Sequence, residues 1–148
     1  MPELRVCLDA SFVVAWLLPE EFTARAFALR EEWEGKSAEL IAPPLLPMET
    51  GSVLRQAIHR GRVSAEEGEE AFRQFRQMRI RITEPQALLD RAWELGRTLN
   101  APRLYDMFYL ALANIEQCEL WTGDKRLFNA SRGQYSAVNY LGDYARAP

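Results

Sequence analysis

Leu4-Arg5-Val6-Cys7-Leu8 is a short, mostly apolar stretch close to the start of the chain, and Asp9 follows it directly. Its composition predicts a buried β-strand rather than a surface strand. In open α/β sheets, ligands bind at the carboxyl ends of the strands, which is where Asp9 would lie. An ionised carboxylate beside a core also needs a partner, because burying an unpaired charge is costly. The stretch therefore predicts a central strand with a functional carboxylate at its end.

Strand-like and helix-like segments alternate along the rest of the chain. The apolar periodicities, caps and breakers predict further strands over residues 40–42, 79–83, 120–122 and 137–141, and helices over residues 12–18, 23–34, 46–60, 64–78, 86–99 and 104–117, with a short helical turn over 125–129. Such alternation is typical of an α/β fold, in which helices cover both faces of a mostly parallel sheet. The length predicts a single domain over residues 1–148.

Two details of the predicted helices concern individual side chains. The hydroxyl of Ser11 is expected to cap the first helix. Apolar residues on the amphipathic helices are expected to face the core: Ala26, Phe27, Leu29, Trp33, Phe72, Phe75, Leu88, Leu89, Ala92, Trp93 and Leu95.

Composition and charge narrow the class of protein. The net charge of −3 provides no overall basic field for nucleic acid. No apolar run approaches the roughly 18 residues that cross a bilayer, and Met1-Pro2-Glu3 lacks the basic start of a signal peptide, so we expect a cytoplasmic protein without a membrane partner. Cys7 and Cys118 do not form a zinc pattern. Both are expected to be reduced and buried, with a disulfide between them as the alternative.

Four carboxylates occupy comparable places in this pattern. Asp9 and Asp124 follow predicted strands, whereas Glu49 and Asp106 lie in the first turns of predicted helices. In a parallel α/β sheet, the strand carboxyl ends and the helix amino ends share one edge. The pattern therefore predicts that these four residues converge. A helix-dipole or capping role is the alternative for each of them except Asp9.

Converging carboxylates have a direct chemical consequence. They raise one another's pKa values by repulsion, and a divalent cation relieves that repulsion. Oxygen ligands without His or Cys favour Mg²⁺ or Mn²⁺ over zinc. Such a cation activates water and stabilises charge on phosphate oxygens. We therefore interpret Asp9, Glu49, Asp106 and Asp124 as the catalytic and metal-ligating groups of a phosphodiester hydrolase.

Other chemistries lack the residues that they need. His59 is the only histidine, which excludes a two-histidine ribonuclease mechanism and a Ser-His-Asp triad. Neither common type of glycine-rich phosphate loop occurs. A phospho-acceptor domain is disfavoured because Ala10 and Ser11, rather than a second acid, follow Asp9. A non-catalytic RNA-binding or assembly module, in which metal serves only the structure, stays open as an alternative.

Four short motifs resemble those of the PIN domain family. In chain order they are Asp9-Ala10-Ser11, Met48-Glu49, Tyr105–Ala113 and Thr122–Leu127. The compact size is similar to that of VapC toxins, the ribonuclease half of prokaryotic type II toxin–antitoxin pairs. The resemblance implies an Mg²⁺- or Mn²⁺-dependent endoribonuclease with a three-layer α/β/α fold, whose five-stranded parallel sheet has the order 3-2-1-4-5.

The resemblance also assigns roles and partners. It places the acidic metal site at Asp9, Glu49, Asp106 and Asp124, and hydroxyls that support this site at Ser11 and Thr122. It implies a homodimer and an antitoxin protein whose tail covers the catalytic groove. A PIN nuclease without an antitoxin, acting in RNA maturation or decay, is the alternative within the same fold and chemistry.

An RNA substrate needs cations near this acidic site. The candidate residues are Arg55, Arg60, Arg62, Arg73, Arg76, Arg79, Arg81 and, beside Asp124, Arg126. We single out Arg55 and Arg126 as possible phosphate contacts, with pairing to nearby glutamates as the alternative for most of the set. Tyr105 is a candidate for stacking on a base, whereas Trp16 and Tyr109 are expected to pack in the core.

Overall fold

The computed structural model describes residues 4–145, so Met1-Pro2-Glu3 lies outside the described residues. The strands are β1 (Arg5–Leu8), β2 (Glu39–Ala42), β3 (Ile80–Ile82), β4 (Glu119–Thr122) and β5 (Val138–Tyr140). The helices are α1 (Ala10–Leu17), α2 (Thr23–Gly35), α3 (Leu45–His59), α4 (Ala65–Gln77), α5 (Leu88–Thr98), α6 (Tyr105–Glu116) and α7 (Lys125–Ser131), and a 3₁₀ turn, Leu141–Asp143, follows β5. Every predicted strand and helix is present, with small differences at the ends.

The five strands form one parallel sheet with the order β3-β2-β1-β4-β5, as predicted. The chain builds outward from β1 through β2 to β3, and then crosses to the other side of β1 for β4 and β5. The direction of winding therefore changes between β1 and β4. In α/β folds this change opens a crevice at the carboxyl ends of the two strands. Asp9 and Thr122 lie at these two ends.

Helices cover both faces of the sheet. Val6, Cys7 and Leu8 are each 0% exposed, although successive side chains of a strand point to opposite faces. Helix α1 packs with α2, α3 and α4, while α5 pairs with α6. The thiol of Cys7 donates a hydrogen bond to the carbonyl of Tyr109 at 3.6 Å, which places α6 over the Cys7 face. The predicted three-layer α/β/α arrangement is confirmed.

The start of α1 differs from the prediction. The helix begins at Ala10, and its capping side chain is Asp9 rather than Ser11. The Asp9 carboxylate accepts the backbone N–H of Phe12 at 2.9 Å, as an N-cap residue does. The prediction was wrong because the Ser11 hydroxyl is engaged elsewhere, by Asp9 and by the loop after β4.

Four apolar side chains that were expected in the core are exposed: Phe27 (46%), Phe72 (44%), Leu89 (59%) and Trp93 (62%). On α5, the core face is formed by Leu88, Ala92 and Leu95 instead. Leu89 and Trp93 each come one residue after a member of this face. One residue along an α-helix rotates the side chain well away from its predecessor, so both point away from the core. Among the helices within residues 4–145, none is long and apolar enough to cross a membrane.

Both cysteines are free thiols, so the alternative of a disulfide is not realised. Cys7 is buried as expected, whereas Cys118 is only half-buried. In the sheet register Cys7 pairs with Leu120, which lies two positions after Cys118. Burial raises the pKa of both thiols, and for Cys118 it reaches about 11, so each stays protonated at neutral pH.

Candidate active site

Asp9 is the most constrained carboxylate of the carboxyl-end edge, with 3% exposure. Its Oδ1 accepts hydrogen bonds from the Ser11 hydroxyl at 2.7 Å and from the Phe12 N–H at 2.9 Å. Its Oδ2 accepts one from the Thr122 hydroxyl. An ionised carboxylate offers about four lone-pair sites. Three of these are used within the protein, and the one that remains is on Oδ2.

Burial raises the pKa of Asp9 from 3.8 to about 6. The hydrogen bonds from Thr122, Ser11 and Phe12 oppose this rise because they stabilise the ionised form, whereas the charge of Asp106 adds to it. Asp9 is thus a desolvated carboxylate with an acidic neighbour and no cationic partner within the described chain.

Ser11 and Thr122 support Asp9 and join the two strand ends. Each hydroxyl uses its single hydrogen on Asp9 and accepts from the backbone that follows β4. The N–H of Gly123 donates to Ser11 Oγ, and the N–H of Asp124 donates to Thr122 Oγ1, both at 2.9 Å. A Cβ on Gly123 would lie 3.2 Å from the Ser11 carbonyl oxygen, so the close approach of the two segments favours glycine at this position.

Glu49 reaches the site from the second turn of α3 rather than the predicted first turn, because that helix begins at Leu45. The side chain is half-buried, and its Oε1 accepts a hydrogen bond from the Tyr109 hydroxyl at 3.0 Å. Burial raises the pKa of Glu49, and the charge of Asp106 adds to this rise, while the Tyr109 hydrogen bond opposes it.

Asp106 and Asp124 occupy the amino ends of two helices. Asp106 lies exposed in the first turn of α6, and desolvation by the neighbouring protein raises the pKa of its carboxyl, with a further increase from the charge of Asp124. Asp124 caps α7 by accepting the N–H of Arg126 at 2.9 Å. The guanidinium of Arg126 lies 3.8 Å from the same carboxylate, while its side chain is 96% exposed.

Asp106 interacts electrostatically with each of the other three predicted carboxylates. Its charge acts on Asp9 and on Glu49, and it responds to the charge of Asp124. The four carboxylates therefore share one region of the edge. Within residues 4–145, no three Asp, Glu, His or Cys side chains form a ready metal-ligating group.

The donor set nevertheless fits a hard divalent cation. It consists of carboxylate oxygens that repel one another, including the open Oδ2 position of Asp9. Mg²⁺ commonly takes only one or two carboxylates and keeps several waters, which a looser group of acids can provide. Asp9, Glu49, Asp106 and Asp124 are the residues that could hold such an ion, directly or through water.

The predicted RNA contacts divide into paired and unpaired arginines. The paired members are Arg62 with Glu20, Arg73 with Glu70, Arg81 with Glu39 and Arg126 with Asp124. Over residues 4–145, the members of the set without an ion pair are Arg55, Arg60, Arg76 and Arg79. Tyr105 is 57% exposed, whereas Trp16 (6%) and Tyr109 (1%) pack in the core as expected.

Comparison with known proteins identifies the family. A family model described as the PIN domain matches residues 6–133. The chain belongs to the PIN domain family. Ribonuclease VapC9 from Mycobacterium tuberculosis (strain H37Rv) is 33% identical over 107 residues, which cover 68% of this chain and 82% of that protein. VapC ribonuclease Mb0985 from Mycobacterium bovis matches to the same extent.

Solved structures share the fold of this PIN domain at lower sequence identity. VapC20 from Mycobacterium tuberculosis, described as a sarcin-ricin loop cleaving toxin, has a TM-score of 0.63 and 18% identity over 85% of this chain and 95% of that chain. A toxin–antitoxin complex from Klebsiella pneumoniae has a TM-score of 0.65 and 16% identity over 92% of this chain and 97% of that chain. These likenesses confirm the predicted architecture.

A cleft of about 370 Å³ adjoins the acidic edge of the PIN domain. Ser11, Glu49 and Gly123 contribute to its wall, together with Glu20 and Phe22 from the loop between α1 and α2. A larger cavity of about 790 Å³ lies at the opposite edge of the sheet, beside Arg5 and Cys118, and contains none of the four carboxylates. Of these two cavities, the smaller cleft is therefore the one that belongs to the candidate active site.

Sequence reasoning missed two features of this PIN domain site. Tyr109 was assigned to the core, and its contact with Glu49 was not foreseen. A signal was available, because a tyrosine within a nearly apolar helix needs a partner for its hydroxyl. The close approach at Gly123 was also missed, although a glycine next to a functional acid often marks such an approach.

Proposed function

We propose that this PIN domain is a divalent-metal-dependent endoribonuclease and the toxin of a type II toxin–antitoxin pair. The observation that carries the proposal is the Asp9 carboxylate. It is buried, it is held by three hydrogen bonds, it has one open position on Oδ2, and the charge of Asp106 acts on it. A carboxylate so desolvated, without a cationic partner, is suited to binding a metal ion.

The four acids have complementary parts in the proposed reaction. Asp9 is fixed by the strand ends, and Asp106 and Asp124 add charge from the amino ends of α6 and α7. Glu49 adds a carboxylate from α3 across the same edge. When bound, Mg²⁺ or Mn²⁺ would activate the attacking water and stabilise charge on the scissile phosphate. Ser11 and Thr122 keep Asp9 in a single orientation.

The substrate class and the partner are supported by the relatives. VapC9 of Mycobacterium tuberculosis is named a ribonuclease, and the Klebsiella structure is a toxin–antitoxin complex. We propose that this chain likewise cleaves RNA, is inhibited by an antitoxin protein and forms a homodimer. Arg55 and Arg126 are proposed to contact RNA phosphates, because both are exposed near or within the elements that carry Glu49 and Asp124.

A cleavage assay tests the proposed chemistry. Labelled structured RNA is incubated with wild type and with Asp106→Asn, in Mg²⁺, in Mn²⁺ and in EDTA. Asp90→Asn is the matched control, since Asp90 is an exposed acid in the first turn of α5. We expect cleavage by wild type and D90N only with metal, and a loss of at least about 100-fold in D106N.

The same assay separates the proposal from its alternatives. Equal cleavage by wild type and D106N would mean that the four-carboxylate edge is not the active site. If no tested RNA is cleaved while Mn²⁺ raises the melting temperature, a structural role for the metal is favoured. For an active protein, growth arrest on induced expression of wild type but not D106N supports a toxin. Unchanged growth favours a nuclease without an antitoxin.

A further inference from the structure

Tyr109 connects the core of the PIN domain to Glu49. The residue is 1% exposed in α6, and its hydroxyl donates to Oε1 of Glu49 at 3.0 Å. The two residues are 60 positions apart in the sequence and lie on different helices. The hydrogen bond is therefore a tertiary contact between α6 and α3 at the acidic edge.

The position of the Tyr109 hydroxyl is set by the core. The neighbouring α6 residues Met107, Leu110 and Ala111 are buried as well, and the Tyr109 carbonyl accepts a hydrogen bond from Cys7 of the central strand at 3.6 Å. Protein interiors are close-packed, so a ring buried to this extent has little room to change its rotamer. The phenol oxygen is consequently a fixed point beside the site.

Glu49, in contrast, is half-buried on a flexible side chain. Among the described residues, Tyr109 is the only side chain that donates a hydrogen bond to it, and that bond is made to Oε1. Oε2 accepts no hydrogen bond from any residue within 4–145. Glu49 thus has one oxygen held by the core and one oxygen open.

A purely structural explanation of this contact makes a different prediction. A buried phenol needs a partner, and Glu49 provides one. If that were its whole role, removal of the hydroxyl would change stability and leave metal binding by Glu49 unaltered. The two explanations therefore differ in a measurable property, the affinity for a divalent cation.

We infer that Tyr109 is a positioning residue, which holds Oε1 of Glu49 and thereby keeps Oε2 available to a divalent cation. The inference rests on the proposed function, because that proposal gives Glu49 its role in metal binding. Residues that hydrogen-bond to a ligating group typically contribute roughly 10- to 100-fold to metal affinity. Removal of the Tyr109 hydroxyl should therefore weaken metal binding, and this effect should depend on the presence of the Glu49 carboxylate.

The test is a double-mutant cycle read by Mn²⁺ titration calorimetry without RNA. It compares wild type, Tyr109→Phe, Glu49→Gln and the double variant. Tyr135→Phe is the matched control, because Tyr135 is half-buried beside the cavity at the opposite edge of the sheet. We expect Y109F to weaken Mn²⁺ binding by roughly tenfold and Y135F to leave it unchanged. The double variant should bind no more weakly than E49Q.

Other results would overturn the inference. If E49Q binds Mn²⁺ more weakly but Y109F binds like wild type, the positioning role is wrong while the proposed metal site stands. A loss in Y109F that persists in the E49Q background also overturns it, because Tyr109 then acts through another group. If E49Q itself binds like wild type, the proposed role of Glu49 fails and the positioning role fails with it.

A second measurement keeps the inference testable if Y109F does not fold. Tyrosine labelled with ¹³C at Cζ reports on the hydroxyl in the wild-type chain. The Tyr109 resonance should shift when Glu49→Ala removes the acceptor, and the Tyr135 resonance should not. An unchanged Tyr109 resonance would mean that the contact on which the inference depends is not made in solution.

Discussion

Thr122, the last residue of β4, donates a hydrogen bond to Oδ2 of Asp9, which follows the neighbouring strand β1. The two residues are 113 positions apart in the sequence, and both are buried. They meet because β1 and β4 adjoin at the point where the order of the strands changes direction. The contact ties an early and a late segment of the chain together at the acidic edge.

Removal of this hydroxyl should destabilise the protein. Thr122→Val keeps the branched shape but takes a donor from Asp9 and an acceptor from the N–H of Asp124. We expect the free energy of unfolding to fall by about 1–3 kcal/mol, because buried polar groups lose their partners. Urea unfolding of T122V and of Thr98→Val, which changes an exposed threonine on α5, measures the effect. Equal stability of the two variants would contradict the prediction.

Asp9 should make the protein less stable as the pH rises. Burial raises its pKa from 3.8 to about 6 in the folded state. Between these values the folded chain binds more protons than the unfolded chain, so the free energy of unfolding falls as the pH rises. The shift corresponds to roughly 3 kcal/mol once the pH is above the folded pKa.

Urea unfolding of wild type and Asp9→Asn in EDTA, from about pH 4 to pH 7, isolates this contribution. The stability of D9N relative to wild type should increase over that range, and a difference that does not vary with pH would refute the prediction. Added Mn²⁺ should reduce the fall in wild type, since a cation that binds the ionised carboxylates favours the folded state.

Gly123→Ala should damage the contact between the two strand ends. The added Cβ would lie 3.2 Å from the carbonyl oxygen and 3.3 Å from the hydroxyl of Ser11. We expect a loss of about 1–3 kcal/mol in stability from this crowding, together with reduced RNA cleavage. Gly51→Ala, at a position in α3 where nothing beyond the adjacent residues and the local helix backbone lies within 4 Å of the added Cβ, should instead stabilise the protein by about 0.5–1 kcal/mol. Thermal melting of both variants measures the contrast.

Arg55 should contribute more to RNA binding than Arg73 does. Arg73 is paired with Glu70, whereas Arg55 is exposed without an ion pair in the described part of the chain. In the D106N background, which prevents cleavage, Arg55→Ala should weaken RNA binding and reduce the slope of log affinity against log salt by about 0.7. Arg73→Ala should change the RNA affinity and the salt slope much less. Fluorescence anisotropy at several salt concentrations makes the measurement, and equal effects of the two variants would contradict it.

Local sequence patterns were sufficient for most of the fold. The apolar run before Asp9 predicted the central strand, and the periodicity of each later segment predicted its helix or strand. Local sequence patterns were less reliable in predicting which face of a helix is buried. Leu89 and Trp93 are exposed, because the choice between adjacent stripes of α5 depends on how that helix packs against α6. Apolar character alone does not distinguish these stripes.

For the candidate site, the sequence by itself determined which residue types stand at the strand and helix ends. Asp9, Glu49, Asp106 and Asp124 are acids at places that a parallel sheet brings to one edge. Only the tertiary structure decided the long-range contacts of these acids, which are the hydrogen bond from Thr122 to Asp9 and the contact of Tyr109 with Glu49. Residue patterns reflect interactions between near neighbours in the chain. Desolvation and long-range hydrogen bonds depend instead on the packing of segments that lie 60 to 113 positions apart.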